Sequence, residues 1–402
     1  MRTPRFVDAC LAAFLILLLI LMETSCGGMG GATTASAAPT ATVTPPAPAP
    51  AVAPTVVFTA SPTTIQPGQS TTLTWQTQNA TSATLQSSTV NLSGTMQMSP
   101  AATTTYVLSA TGPGGAQQAS VTVTVAPATI QHVAIVLLEN KNYSQVIGSS
   151  SMPYLNSLAT QYAVAQNYFA NGTESLPNYF MLTVGDTVTT TAGYTGPYTG
   201  DNIVRELVKA GKTWKAYAQS LPSAGYLGDN AYPYEKVHNP FAYFSDVVND
   251  STQAQNIVPF TQLATDISAG KLPNYIFIIP DNQTNTHDCP PNMSSCTLSD
   301  TLSYCDKWLK ANIDPLLQTS TFQNSGILVI TFDESYDSTV NGGGHVPTVV
   351  AGAKVKNGYG TMTFFQHQST LRMMMKALGF TTYIGAAANA PDMDEMFSST
   401  IP

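Results

Sequence analysis

Residues Ile327–Ser335 read ILVITFDES: four aliphatic residues, Thr331 and Phe332, then two adjacent acids, Asp333 and Glu334. An apolar run without alternation is the signature of a strand covered on both faces, as in a parallel sheet flanked by helices. The pattern recurs upstream as HVAIVLLEN over His132–Asn140 and NYIFIIPDN over Asn274–Asn282. Three apolar strands therefore end in oxygen-bearing residues. In open α/β sheets ligands bind beyond the carboxyl ends of the strands, and the three polar ends are expected to meet there.

The rest of the chain frames that sheet. Of 402 residues 43% are hydrophobic and only 9% charged, so a core is well supplied and the polarity comes from Thr, Ser, Asn and Gln. No Asp, Glu, Lys or Arg occurs between Glu23 and Glu139, so the net charge of -8 belongs almost wholly to the C-terminal part. An acidic domain lacks the basic face that nucleic acid requires, which excludes that partner. Arg2 and Arg5 followed by the apolar run Cys10–Met22 read as an export signal over residues 1–26. Cys26 is a candidate lipid-anchor site, making the protein a surface or periplasmic lipoprotein; a cut near Ala37 would instead give a secreted one. Residues 27–55 form an Ala/Pro/Thr-rich spacer.

From 56 to 127, short Thr/Val-rich runs such as TTLTWQTQ and TTTYVLSAT alternate with turn clusters, which predicts an antiparallel sandwich around Trp75. This stretch resembles the immunoglobulin-like modules placed before bacterial surface enzymes, and it carries no visible catalytic group; its ligand is open. Residues 128–402 alternate strands with helical stretches, NIVRELVKAGKTWKAYAQ and STLRMMMKALGF among them, and form the α/β domain. Cys289, Cys296 and Cys305 lie close together; in an exported chain two of them are expected to pair, and the sequence does not choose which.

Within the α/β part, NGTESLPNYFMLTVGDT places Ser175 two residues before Pro177, at a turn that projects a hydroxyl outward. Taken with LLENKNYSQVIG, PYLNSLA, KVHNPFAYF, IIPDNQTNTHDC, TFDES, VPTVVAGAKVK and FFQHQSTLR, this stretch resembles the phosphoesterase family of bacterial acid phosphatases and C-type phospholipases, in the alkaline-phosphatase-like superfamily. Gln366 stands where relatives carry Asn, and Gln283 where many carry Cys. The resemblance implies a three-layer α/β sandwich around a mostly parallel sheet, and one divalent metal ion held by Glu139, Asn140, Ser175, Asp333 and Glu334. It implies Ser175 as the nucleophile of a phosphoserine mechanism. The chemistry is coherent, because phosphoryl transfer needs an in-line nucleophile and charge neutralisation, and a carboxylate cluster without a cation repels itself.

Of five histidines, His238 and His287 are expected in catalysis with Asp288 beside His287, while His345, His367 and Asn178 are expected at the phosphate; His132 reads as structural. Oxygen ligands suit Mg, Ca or Mn, and nearby histidines admit Zn or Fe. Abundant aromatics near these blocks favour an apolar ester, a phospholipid or aryl phosphate. An acid phosphatase is the leading reading and a phospholipase C-like diesterase the alternative. The rival of another class is an inactive surface-binding protein. A carboxylic esterase is disfavoured, since no Gly-x-Ser-x-Gly elbow occurs.

Overall fold

The computed structural model describes residues 49–66, 69–126, 129–191, 193–399 and 401. The export signal, Cys10, Cys26 and most of the spacer lie outside the described residues.

The α/β part is built on an eight-stranded sheet. Its strands are β1 (His132–Leu138), β2 (Ala163–Ala165), β3 (Trp214–Ala218), β4 (Ile257–Pro259), β5 (Tyr275–Ile279), β6 (Gly326–Phe332), β7 (Thr348–Gly352) and β8 (Tyr359–Thr361). Their order is β4-β3-β5-β1-β6-β7-β2-β8. The three quoted runs are thus β5, β1 and β6, adjacent and parallel at the centre. Apart from His132 every residue of these three strands is buried, which accounts for their unbroken apolar character. Each such aliphatic side chain contributes about 1.5–3 kcal/mol by leaving water. Parallel pairing in which Phe332 faces Leu138 brings all three strand ends out on one edge, with Asp333 beside Glu139.

The sheet is mostly parallel, as the sequence predicts: five of its seven strand pairs are parallel, and the two antiparallel pairs both involve β7. Strand β7 runs antiparallel to β6 because the connection across residues 333–347 contains no helix, and a parallel return needs a crossover of a dozen or more residues, usually helical. A departure from the sequence reading concerns NIVRELVKAGKTWKAYAQ. Only Ile203–Lys209 is helical; Gly211, with a φ of 66°, turns the chain, and WKAYA becomes β3, where burial between two parallel neighbours overrides helix propensity. Three helices matter below: α1 (Ser175–Met181), α2 (Leu298–Asn312), started by a Thr297/Asp300 capping box, and α3 (His367–Ala377).

Strands between Thr55 and Val125 form a three-stranded and a five-stranded sheet enclosing Leu73, Trp75, Leu85, Tyr106 and Leu108. Trp75 donates its indole N–H to the Asn91 carbonyl at 2.8 Å and faces Gly94 across the pair. A Cβ at Gly94 would stand 2.8 Å from the indole, so this position needs glycine.

Cys289 and Cys296 form the disulfide, and Cys305 is the free thiol, buried in α2. His132 donates its Nδ1–H to the Pro273 carbonyl at 2.8 Å.

Candidate active site

The end of β1 supplies Glu139 and Asn140, and the end of β6 supplies Asp333 and Glu334. All three acids are buried, Glu139 and Asp333 fully. Asp333 Oδ1 accepts from the backbone N–H of Asn140 at 3.1 Å and of Glu334 at 2.7 Å, which stitches the two strand ends together. Asn140 turns sharply with a φ of 54°, a conformation asparagine tolerates better than most residues.

Helix α1 delivers the hydroxyl. Ser175 is its first residue, half-buried, and donates to Glu139 Oε2 at 3.1 Å. One turn on, Tyr179 donates to Glu139 Oε1 at 2.7 Å, while Asn178 donates to Glu334 Oε2 at 3.1 Å. Residues i, i+3 and i+4 of a helix share a face, so one face of α1 meets two of the three acids. His238 lies 3.3 Å from Glu139 through Nε2 and stacks on Tyr179.

The electrostatics are unbalanced. Burial raises Glu139 to about 7, with the Glu334 charge adding and hydrogen bonds from Asp333, Tyr179 and Ser175 opposing, raises Glu334 to about 9, with Asp333 and Glu174 adding, and lifts Asp333 well above the usual range with Glu139 as its main charged neighbour. Burial also pushes His238 down to about 3, so it stays neutral and offers Glu139 no counter-charge. The cation nearest in sequence, Lys141, spends its ammonium on the carbonyls of Asn140 and Thr286, at 3.0 and 2.9 Å. Asp333 Oδ2 is buried with no hydrogen-bond partner. Among the described residues no group of three or more His, Cys, Asp or Glu side chains is placed to hold a metal ion as it stands. An open cluster of buried acids with an orphan oxygen fits a divalent cation as the missing charge.

The loop after β5 is tied to the same spot. Glu139 N–H donates to Asn285 O at 2.9 Å, and the Thr286 hydroxyl donates to Glu139 O at 2.6 Å. Thr286 has a φ of 83°, a strained value for a β-branched residue, held by these contacts. Next to it His287 is exposed, its Nδ1 2.8 Å from Asp288 Oδ1, leaving Nε2 free to face a ligand.

Two of the residues expected at the phosphate have other partners in this structure. His367, expected at the phosphate, is fully buried with Nε2 2.7 Å from the Asp333 carbonyl and Nδ1 3.1 Å from the Tyr168 hydroxyl, so both nitrogens are spent beneath the site. Asn178 closes a turn: its Oδ1 accepts from the N–H groups of Asn171 and Gly172, and its amide donates to the carbonyls of Gly172 and Glu174. The His345 ring is stacked between Tyr143 and Phe169, and its buried Nε2 has no partner. Sequence reading counts Tyr179 only among the aromatics near these blocks and gives Lys141 and Thr286 no role. Tyr179 was accessible from its i+4 spacing to Ser175; the other two act through backbone carbonyls and conformation, which residue type does not reveal.

Comparison with known proteins adds to this geometry. The model of the Phosphoesterase family matches residues 149–380. The chain is 31% identical over 272 residues to a phosphatidylinositol-3-phosphatase of Mycobacterium tuberculosis, covering 67% of this chain and 83% of that one. It is 30% identical over 260 residues to a Kluyveromyces lactis protein named "Probable acid phosphatase", covering 61% of this chain and 57% of the other, and so spans little more than half of that relative. Among solved structures, a protein in the alkaline phosphatase superfamily from Vibrio parahaemolyticus aligns with a TM-score of 0.49 at 14% identity, covering 69% of this chain and 74% of that one, a likeness too loose to bear on the chemistry.

Proposed function

The chain belongs to the phosphoesterase family, hydrolases of phosphoric ester bonds, and from that premise we propose that it is an exported, metal-dependent phosphomonoesterase that works through a phosphoserine at Ser175. The observation that carries this reading is the hydrogen bond from the Ser175 hydroxyl to Glu139, made beside the buried Asp333 and Glu334. The relatives named for phosphatase activity, one on a phosphoinositide, favour monoesters over diesters.

Glu139, Asn140, Asp333, Glu334 and Ser175 would hold the divalent ion, which when bound supplies the positive charge that phosphoryl oxygens need and eases deprotonation of a serine hydroxyl. Glu139 receives the hydroxyl hydrogen bond of Ser175 and is itself fixed by Tyr179 and His238. Ser175 passes its hydroxyl proton to Glu139 Oε2 as Oγ attacks phosphorus in line with the departing alkoxide, and recovers that proton when water later cleaves the phosphoserine. His287, oriented by Asp288 through Nδ1, gives the Nε2 proton to that alkoxide and takes one from the water that later releases phosphate. His345 offers its unpartnered Nε2 to a phosphoryl oxygen. His367 and Asn178 hold Asp333 and Glu334 in place without touching the substrate. An export signal at residues 1–26 would put this chemistry outside the cytoplasm, with the residues from 56 to 127 as an immunoglobulin-like spacer module.

The test is hydrolysis of an aryl phosphate by the full chain before and after chelation, with Mg, Ca, Mn, Zn and Fe added back singly. Loss on chelation and restoration by one of these ions is expected. Full activity in chelator would remove the metal from the account.

A further inference from the structure

A cleft of about 320 Å³ has walls that include Lys141, Gln145, Thr286, His287, Leu298, Thr301 and Tyr336, of which Lys141 and Thr286 bond to the backbone carbonyls of Asn140 and Glu139. His287 stands on its edge, and the proton donor to a leaving alcohol must touch that alcohol's oxygen. The rest of the leaving group then extends into the cleft. That volume sits at the small end of ligand sites, enough for a single ring rather than a lipid chain.

The lining chemistry narrows the class of ring. Lys141 has three N–H groups and gives two to backbone carbonyls, which leaves one. Gln145 accepts from the Asn142 N–H through Oε1, and among the described residues nothing takes its amide hydrogens. The Thr301 hydroxyl donates to the Leu298 carbonyl and retains its lone pairs as acceptors. Tyr336 is 68% exposed and presents a ring face, with the Lys141 ammonium 5.8 Å from its centroid. Donors and acceptors interleaved around one aromatic face suit a ring carrying several hydroxyls, each of which both gives and takes a hydrogen bond. A purely apolar group would leave these polar atoms unpaired.

We infer that this cleft is the leaving-group subsite and that it takes a polyhydroxylated alcohol, a sugar or cyclitol ring, from its phosphate monoester. The inference rests on the assignment of Ser175 and His287 above. Its test compares kcat/KM for three monoesters with wild-type protein: myo-inositol monophosphate, cyclohexyl phosphate, which is a six-membered ring without the hydroxyls, and methyl phosphate, whose leaving group is too small to fill the cleft. At least a tenfold preference for the inositol ester over the cyclohexyl ester is expected. Equal or reversed values overturn the inference, even with the phosphoesterase reading intact. Leu298→Trp, at a position 43% exposed, should fill the cleft without disturbing the core. The ratio of inositol ester to methyl phosphate should then fall at least tenfold, and an unchanged ratio would overturn the placement of the ring. Failure on all three esters with every metal would instead sink the phosphoesterase mechanism itself.

Discussion

Replacing Asn178 separates two accounts of the site. In one it binds phosphate; in the other it builds the turn that presents Ser175. The structure gives its buried amide five hydrogen bonds: two accepted from Asn171 and Gly172 N–H, and three donated, to Gly172 O, Glu174 O and Glu334 Oε2, all between 2.9 and 3.1 Å. A net value of about 1 kcal/mol per bond, with partners left buried and unpaired, puts Asn178→Ala at about 3–5 kcal/mol of lost stability. For a domain of this size that is a fall of roughly 6–15 °C in Tm. The assay is thermal unfolding followed by circular dichroism, run beside aryl phosphate kinetics. Tm should drop by that amount, with kcat falling as Ser175 and Glu334 lose their bearings. A variant that melts with wild-type protein and loses only substrate affinity would refute the turn-building account and return Asn178 to the phosphate.

Two further perturbations follow from the same geometry. His367→Asn breaks the bond to the Asp333 carbonyl and should lower kcat about 10–100-fold with KM nearly unchanged, as for other groups that orient ligands from behind; a rise in KM at constant kcat would make His367 a substrate contact. Asp266 is held below the ordinary carboxylate value: burial works to raise it, but hydrogen bonds from Lys215, Tyr217 and Gln262 outweigh that. Its contribution is therefore present above the unfolded value of about 3.9 and lost as pH falls through the lower folded value. Asp266→Asn should cost about 1–3 kcal/mol at pH 7, and the gap in Tm from wild type should narrow toward pH 3; a gap that widens on acidification would contradict the sign.

Much of this architecture is legible in the sequence because burial on both faces writes itself as unbroken apolar runs. ILVITF, HVAIVLL and YIFII are three neighbouring parallel strands, and the acids that follow the first two are brought together by that register alone. The antiparallel β7 is less legible, since its direction depends on a helix missing from the preceding loop rather than on its own residues. The histidines show the same limit. His287 and His367 look alike as lone polar residues in matched blocks, yet one is exposed and the other has both nitrogens spent under Asp333. Residue type announces chemistry, but only packing decides which atoms are left over to perform it. Tyr179 is the instructive miss, because helical spacing from Ser175 was enough to find it.

The most direct test of the central claim is to quench the full chain in acid during turnover of an activated aryl phosphate, with the restoring metal present, and to map any covalent phosphate by mass spectrometry. One phosphoryl group on the peptide that contains Ser175, absent from Ser175→Ala, is the predicted result. Turnover by Ser175→Ala at the wild-type rate, or phosphate trapped on another residue, would contradict it.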